Sequence, residues 1–482
     1  MEWLPRRPGA TARTCGRDPS GRSRWLGGAG TRDRFRRGWR VMSENHSDFD
    51  PFERRILAEV ESREAGLRDD LADLVAIPTG HNHVEGLDRA RDWFATRLGA
   101  LGAGVTLVPG RPRPDWLAIR RDPEDAPDPE ACDDSISSET IPPMLVATHR
   151  VDDEVEAVRP FLCGHLDTVH DPAGPFQSLE VVRDGIASGP GSMDMKGGLV
   201  VALGALETLA ALGRRIDWTM GLVSDEETGT YFGENALLDA ARGHDVGLVF
   251  EPALADGSLV VERMGSGTFM LEAVGRAAHV GRAFTEGRSA VVALARAIID
   301  VSALADPANG RIINIGPIHG GGVTNAVPHH ARCWGNARYA DPESQSGLEA
   351  DVHRVVEALD RRLAEEIGEP PRIRVRTSFL RPAKPSTPEV LALADRARSV
   401  SEALGHPMPY ASTGGACDGN LLQAAGVPTI DTLGVRGGGM HRPDEYLELA
   451  SIGERTALLA ILLHRLDRDG FGERKGSGRP IP

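Results

Sequence analysis

Cysteine is scarce in this sequence: only five occur among 482 residues. The count is odd, the spacings are wide and no CxxC pair is present, which excludes a disulfide framework and a zinc ribbon. Long apolar runs are also missing, since none approaches the about 18 residues that a membrane-spanning helix requires. We therefore expect a globular protein of the reducing cytoplasm, with no membrane partner.

Basic charge is in deficit, with 55 Lys and Arg against 70 Asp and Glu and a net charge of -15. Nucleic-acid binders need basic surface to replace counterions, so a nucleic-acid partner is not expected. Residues 1–47 are nevertheless rich in arginine and lack the apolar core of a secretory signal. We interpret them as a disordered basic extension or as the product of a start assigned too early, with Met42 as the true start.

Hydrophobic periodicity predicts an α/β domain. Apolar residues recur at helical spacing over residues 52–99. A short strand is predicted near 116–120, and from Phe161 onward apolar strands alternate with helices, including an almost wholly apolar helix at 197–212. This alternation predicts a mostly parallel sheet that helices cover on both faces.

Residues 262–382 follow a different pattern, in which the order βαββαβ predicts an inserted ferredoxin-like domain. The catalytic domain would then comprise residues 48–261 and 383–468. The acidic, proline-containing stretch 122–139 should be a solvated loop or insertion. The polar, glycine-rich residues 469–482 are expected to form a disordered tail.

Histidine and carboxylate side chains follow the predicted strands at five places, where open α/β sheets bind their ligands. They are His165 and Asp167 in 164–168, Asp194 in the glycine-rich stretch 189–198, Glu226 and Glu227 in 224–229, Glu251 after Phe250, and His441 in 440–445. Taken singly, each has an ordinary alternative: a polar strand end, a helix cap, a solvated acidic loop, or an exposed histidine.

Together these residues have the composition of a dinuclear metal site. Two histidines, two glutamates and a shared aspartate can hold two ions about 3.5–4 Å apart. Mixed imidazole and carboxylate ligands without thiolate favour Zn²⁺, with Co²⁺ or Mn²⁺ as alternatives. One carboxylate remains beside a ligand, as a general base requires.

The five motifs, in this order and spacing, resemble the metallopeptidase family of glutamate carboxypeptidase, acetylornithine deacetylase, succinyl-diaminopimelate desuccinylase and aminoacylase, over about residues 52–468. Residues 413–418 and 433–441 are most similar to the glutamate carboxypeptidase branch. The resemblance implies two zinc ions per chain, a cis peptide between Asp194 and Met195, and the following roles. Asp194 would bridge the ions, His165 and Glu251 would complete one site, Glu227 and His441 would complete the other, Glu226 would be the catalytic base, and Asp167 would orient His165.

The resemblance also implies that the inserted domain is a lid and a dimerisation domain. His279 would reach into the active site of the partner subunit in a homodimer. Substrate would be bound by Asn325, Arg338, Arg381, Gly414 and Gly415, with the arginines meeting a carboxylate through paired hydrogen bonds. For Asn325 and Arg338, the resemblance equally allows a role in supporting the dimer.

We therefore expect a dinuclear zinc hydrolase that cleaves the amide bond of a small acidic N-acyl amino acid or dipeptide-like substrate. One alternative is a biosynthetic deacylase of the acetylornithine or succinyl-diaminopimelate type. A more remote one is an inactive binding protein on the same fold, which a missing ligand or base would indicate. All five predicted ligands and the predicted base Glu226 are present in the sequence.

Overall fold

A computed structural model describes residues 16–17, 23–24, 48–80, 83–117, 140–151 and 157–476. The extension 1–47 lies outside these residues, except for the paired strands Gly16–Arg17 and Ser23–Arg24. The acidic stretch 122–139 also lies outside them. Among the described helices, none is long and apolar enough to cross a membrane.

A mixed sheet of six strands forms the centre of the molecule. In spatial order its strands are Thr429–Ile430, Val246–Val249, Pro160–His165, Trp218–Val223, Met144–His149 and Gly104–Val108. The first four are parallel, and Met144–His149 runs antiparallel to both of its neighbours. This confirms the mainly parallel sheet that the sequence predicts.

Helices pack on both faces of the central sheet. One face is covered by Pro51–Val75, Val84–Ala100, Gly197–Ala211, Pro388–Ala403 and Leu449–Asp469, and the other by Glu234–Ala241 and Asp418–Ala424. Strand side chains alternate between the two layers, so Leu162 packs in the larger core while Phe161 and Cys163 pack in the smaller one. The first helix begins where Asp50 accepts hydrogen bonds from the backbone of Phe52 and Glu53, which satisfies two free N–H groups.

Residues 265–381 form a second sheet, here called the inserted sheet. Its antiparallel strands are, in spatial order, Arg311–Gly320, His330–Tyr339, Gly265–Val274 and Arg372–Arg381. The long helices Ala290–Ser302 and Pro342–Ile367 pack on one face of it. Apart from the four-residue helix Val280–Ala283, the elements follow the βαββαβ order that the sequence predicts.

Two smaller sheets connect the loops around the central sheet. One contains Gly437–Gly438, Tyr446–Glu448, Ile186–Ser188 and Glu180–Arg183, and the other pairs Leu259–Arg263 with Tyr410–Thr413. The first of them holds the segment before Asp194 against the segment after His441. Loops that are about 250 residues apart in the sequence thus become neighbours.

Two predictions of local structure are wrong. The strand expected near 116–120 begins instead as the short helical turn Asp115–Leu117, and its residues 118–120 lie outside the described residues. The Trp116 carbonyl accepts a hydrogen bond of 2.6 Å from Trp334 Nε1 of the inserted sheet. The tail expected to be disordered from 469 forms a hairpin of Gly470–Phe471 with Arg474–Lys475, since Phe471 packs into the larger core. Residues 477–482 lie outside the described residues.

Candidate metal centre

The predicted ligands meet at the carboxyl ends of the central parallel strands. His165 ends the strand Pro160–His165, and Glu227 and Glu251 follow the two strands beside it. Asp194 lies in the irregular turn Ser192–Lys196, where its backbone is non-helical and the Asp194–Met195 peptide is cis, as the family resemblance implies. Parallel strands thus place side chains from distant parts of the sequence at one edge of the sheet.

Asp194 lies between two groups of potential ligands. Its Oδ1 is 3.3 Å from Nε2 of His165, and its Oδ2 is 3.3 Å from Nε2 of His441. Glu251 belongs to the group of His165 and Glu227 to that of His441, and the ligand atoms of each group lie within 4.8 Å of one another. Ligands at tetrahedral angles around an ion at about 2.0–2.2 Å are roughly 3.3–3.6 Å apart, so both groups approach the dimensions of a metal site. The two oxygens of one carboxylate therefore face two different sites.

The charges in this cluster favour bound cations. Asp194 Oδ1 and Glu227 Oε1 are buried and have no hydrogen-bond partner among the described residues. Burial raises the pKa of Glu227 to about 7, although a hydrogen bond with His441 opposes the shift. Burial and the charge of Asp194 raise the pKa of Glu251 well above its usual value. Carboxylates this close repel one another unless a cation neutralises them, so the donor set fits a pair of divalent metal ions.

Asp167 connects the two ligand-bearing loops. Its carboxylate accepts hydrogen bonds from the backbone N–H groups of Glu226 at 3.1 Å and Glu227 at 2.9 Å. Nδ1 of His165 lies 2.9 Å from the main-chain oxygen of Asp167 and 3.4 Å from its Oδ1. A partner on Nδ1 fixes the ring and leaves Nε2, which faces Asp194, available to a metal ion. The geometry is thus the one expected of a residue that orients a histidine ligand.

Glu226 lies beside the cluster and contacts a residue from the inserted sheet. Its Oε1 is 2.7 Å from Nη1 of Arg381. Nη2 of the same arginine donates to Thr230 Oγ1 and lies 3.4 Å from Asp418 Oδ1. Burial and the charge of Glu226 raise the pKa of Asp418 to about 6. Asp418 and Thr230 were not anticipated from the sequence as members of this site.

His279 and Asn325 lie together but apart from the ligands. Both are exposed, and the backbone N–H of Val280 donates to the Asn325 carbonyl at 3.0 Å. Within the described ranges, no hydrogen bond or ion pair joins either residue to the ligands of the same chain. These two sequence-predicted residues are therefore not brought to the cluster within one subunit.

Gly414 and Gly415 lie in the loop after the strand Tyr410–Thr413. The Gly415 carbonyl accepts a hydrogen bond of 2.9 Å from Arg263 Nη1, which anchors this loop beside the entry to the inserted sheet. Cys417 follows in the same loop, and burial raises the pKa of its thiol well above the ordinary value. Because the thiolate is the reactive form, Cys417 is a poor nucleophile here.

Glu445 is a positioning residue that the sequence analysis missed. Its buried carboxylate accepts hydrogen bonds from the backbone of Gly191, Met193 and Asp194 at 2.7–3.0 Å, and its Oε2 lies 2.6 Å from His170 Nε2. The loop that carries His441 thereby fixes the loop that carries Asp194. The only sequence signal was an acid four positions after His441, which has no visible partner until the chain is folded.

Replacing Glu445 by Gln is expected to weaken metal binding by about 10–100-fold, the usual effect of losing a residue that supports a ligand. Gln places an NH₂ group where an oxygen now accepts backbone hydrogen bonds. The amide donor would then face backbone N–H donors, and those hydrogen bonds would be lost. Isothermal titration of metal-stripped protein with Zn²⁺ would measure the change. Asp444→Asn is the matched control, because the neighbouring carboxylate is exposed and pairs with Arg442. Equal affinities of the two variants would contradict the positioning role.

Comparison with known proteins gives consistent matches. Residues 161–465 match the model of Peptidase family M20/M25/M40. The chain is 28% identical over 307 residues to carboxypeptidase G2 of Pseudomonas sp. (strain RS-16), covering 63% of this chain and 72% of that protein. It is 29% identical over 337 residues to a succinyl-diaminopimelate desuccinylase of Rhodopseudomonas palustris (strain BisB5), covering 64% of this chain and 82% of that protein.

Solved structures share the fold. A tripeptidase from Staphylococcus aureus subsp. aureus mu50 superposes with a TM-score of 0.62 at 21% identity, covering 83% of this chain and 97% of that one. Human carnosine dipeptidase 1 gives a TM-score of 0.59 at 15% identity, and the superposition covers 85% of this chain and 98% of that one. The family model matches more than half of the sequence, and the chain therefore belongs to Peptidase family M20/M25/M40, as a metallohydrolase that acts on amide bonds.

Proposed function

We propose that this protein is a dinuclear zinc hydrolase that cleaves the amide bond of a small acidic N-acyl amino acid or dipeptide-like substrate. The observation that carries the proposal is the placement of Asp194, whose two oxygens face His165 and His441 separately. Glu226 lies next to the ligand Glu227 and within reach of the same cleft. The similarity to carboxypeptidase G2 supports the same assignment.

In the proposed mechanism, Glu226 moves the proton. Two zinc ions in these sites would polarise the scissile carbonyl and acidify the attacking water. Glu226 would accept the proton of that water and later deliver it to the leaving amine, as one carboxylate can do in turn. Asp167 would keep Glu226 in place through its backbone hydrogen bond, and it would keep the ring of His165 oriented.

We infer an acidic substrate from two arginines that lie on one face of the inserted sheet, at the same register position of two strands. Arg338 and Arg381 stand on either side of Ser266 on neighbouring strands, so their side chains share a face of the sheet. Burial and the charge of Arg381 lower the pKa of Arg338. Two cations held this close favour an anionic group between them, and a substrate carboxylate would also draw Arg381 away from Glu226.

Replacing Arg381 by Met is expected to reduce kcat/KM for an acidic substrate about 10–100-fold more than for its uncharged amide analogue, the value of a hydrogen-bonded charge pair. Arg381→Lys keeps the charge but not the planar fork, so its preference for the acidic substrate over the amide should lie between those of the wild type and Arg381→Met. Steady-state kinetics with both substrates gives the ratio. An equal loss for both substrates would contradict carboxylate recognition by Arg381.

A biosynthetic deacylase is the second candidate, favoured by the similarity to succinyl-diaminopimelate desuccinylase. The two candidates differ in the acyl group that leaves and in the amine that is released. A panel of dipeptides ending in Glu, N-acyl amino acids, N-acetylornithine and N-succinyl-diaminopimelate, assayed with added Zn²⁺ or Co²⁺, separates them. Preference for a C-terminal glutamate supports the carboxypeptidase proposal, and preference for the last two substrates overturns it.

We further propose that residues 262–382 act as a lid and as the contact between two subunits. Large apolar side chains of this segment remain exposed, among them Val292 at 55%, Ile299 at 68%, Ile318 at 59% and Val323 at 64%. Large exposed apolar side chains of this kind are typical of a protein–protein contact when they form a common surface. A two-fold dimer would cover such a surface, and it would allow His279 of one subunit to reach the cleft of the other.

Mixing two inactive variants tests this arrangement. His279→Ala and Glu226→Gln are each expected to be inactive, but subunit exchange should restore part of the activity, because a mixed dimer contains one cleft with both groups intact. Activity is followed after the purified variants are combined, and each variant alone is the control. No recovery despite demonstrated exchange would place His279 outside the partner's active site.

A further inference from the structure

A polar cavity in the central domain is lined by none of the proposed metal ligands. It has a volume of about 290 Å³, at the lower end of the about 300–1,000 Å³ typical of small-ligand sites. It is lined by the end of the helix Pro388–Ala403, by the helix Leu449–Asp469 and by two loops of the central domain, and its polar lining includes Ser401, His406, Arg436, Glu454 and Arg455. None of these residues belongs to the proposed catalytic site.

Arg455 is a buried cation without a matching anion. Its side chain is part of the cavity wall, the residue is only 5% exposed, and its Nη1 has no hydrogen-bond partner. In the described part of the chain, no carboxylate lies within ion-pair distance of it, and burial lowers its pKa to about 10. Arg214, equally buried and packed against the same helix, pairs with Asp467 at 2.6 Å. A buried guanidinium is costly unless something accepts its hydrogen bonds.

Two acids near Arg455 are already paired with another arginine. Arg436 Nη2 lies 2.6 Å from Glu454 Oε2, and Arg436 Nε lies 3.0 Å from Glu448 Oε2. His406 Nε2 is 3.7 Å from the same oxygen of Glu454 and has no hydrogen-bond partner. The cavity wall therefore contains Arg455, which has no ion-pair partner in the described part of the chain, together with His406. It also contains two carboxylates: Glu454 is paired with Arg436, and Asp256 accepts a hydrogen bond of 3.0 Å from the backbone N–H of Ser258.

We propose that this cavity binds a small oxyanion, a phosphate or a carboxylate group, through Arg455 and His406. The fork of a guanidinium matches the oxygens of either group. The site is connected to the metal centre through two loops. Gly434 donates to the Glu251 carbonyl at 2.9 Å, and Ala253 donates to the Val435 carbonyl at 3.0 Å, immediately before each loop reaches the cavity. Anion binding would thus stiffen the segments that carry Glu251 and His441.

Thermal unfolding and titration calorimetry of the metal-loaded protein test the proposal, with inorganic phosphate and glutarate as separate probes at constant ionic strength. Binding to the folded state raises Tm in a saturable way. For the wild type we expect two classes of phosphate site, at the metals and in the cavity. Arg455→Met should lose only the cavity class, and without anion it should melt no lower than the wild type, because it removes an unpaired buried charge.

Arg398→Met, at a surface arginine paired with Asp395, is the matched control and should keep both classes. If Arg455→Met does not fold, Arg455→Lys serves instead, and it should bind the cavity anion more weakly than the wild type. A response to phosphate alone identifies phosphate as the ligand type, and a response to glutarate alone identifies a carboxylate. Identical binding by the wild type and the Arg455 variants, for both probes, would overturn the proposal.

Discussion

Replacement of Glu226 by Gln is expected to lower kcat by about 10²–10⁴-fold, the usual contribution of a general base. The amide keeps the size of the side chain but cannot accept the proton of the attacking water. Glu226 is not one of the groups that face Asp194, so two metal ions per chain should remain bound. Steady-state kinetics together with metal analysis measures both properties in one preparation.

The matched control for this variant is Glu61→Gln, at an exposed glutamate on the first helix, which should retain wild-type kcat. Two results would contradict the assigned role. Wild-type turnover by Glu226→Gln would show that another group moves the proton. Loss of a metal ion from the same variant would show that Glu226 is a ligand.

Replacement of Asp194 by Ala is expected to remove both metal ions and to abolish activity. Its Oδ1 faces one group of ligands and its Oδ2 the other, so a single substitution affects both sites. His441→Ala, by contrast, removes a ligand from one group alone. This variant should retain the ion held by His165, Asp194 and Glu251. Metal analysis of the dialysed proteins distinguishes the two outcomes.

Asp184→Ala, at an exposed turn between two short strands, controls for the loss of an aspartate and should keep both ions. Should Asp194→Ala keep one ion with full affinity, the carboxylate would not be shared. Circular dichroism of each variant verifies that the fold is retained.

The sequence predicts for a physical reason that the side chains of the proposed ligands come together. Parallel strands end at one edge of the sheet, so acids and histidines that follow successive strands are brought together whatever their separation in the chain. His165, Glu227 and Glu251 are of this kind. Asp194 differs, because it precedes a helix, and its position was assigned from the resemblance of its glycine-rich stretch rather than from strand order.

Contacts between main chain and side chain were not predictable in the same way. Glu445 acts on backbone N–H groups about 250 positions away, and no property of residue type or spacing identifies such partners. The pairing of Arg381 with Glu226 depends likewise on how the inserted sheet faces the central one. Trp116, predicted to begin a strand, lies in a helical turn and bonds to Trp334 of the inserted sheet, a tertiary contact that local strand preference does not reveal.

The most direct measurement is anomalous diffraction at the zinc edge from crystals of protein purified with zinc. The account predicts two peaks, one on each side of the Asp194 carboxylate, with His165 and Glu251 on the first and Glu227 and His441 on the second. Peaks at other residues, or ordered side chains without any peak in zinc-loaded crystals, would contradict it.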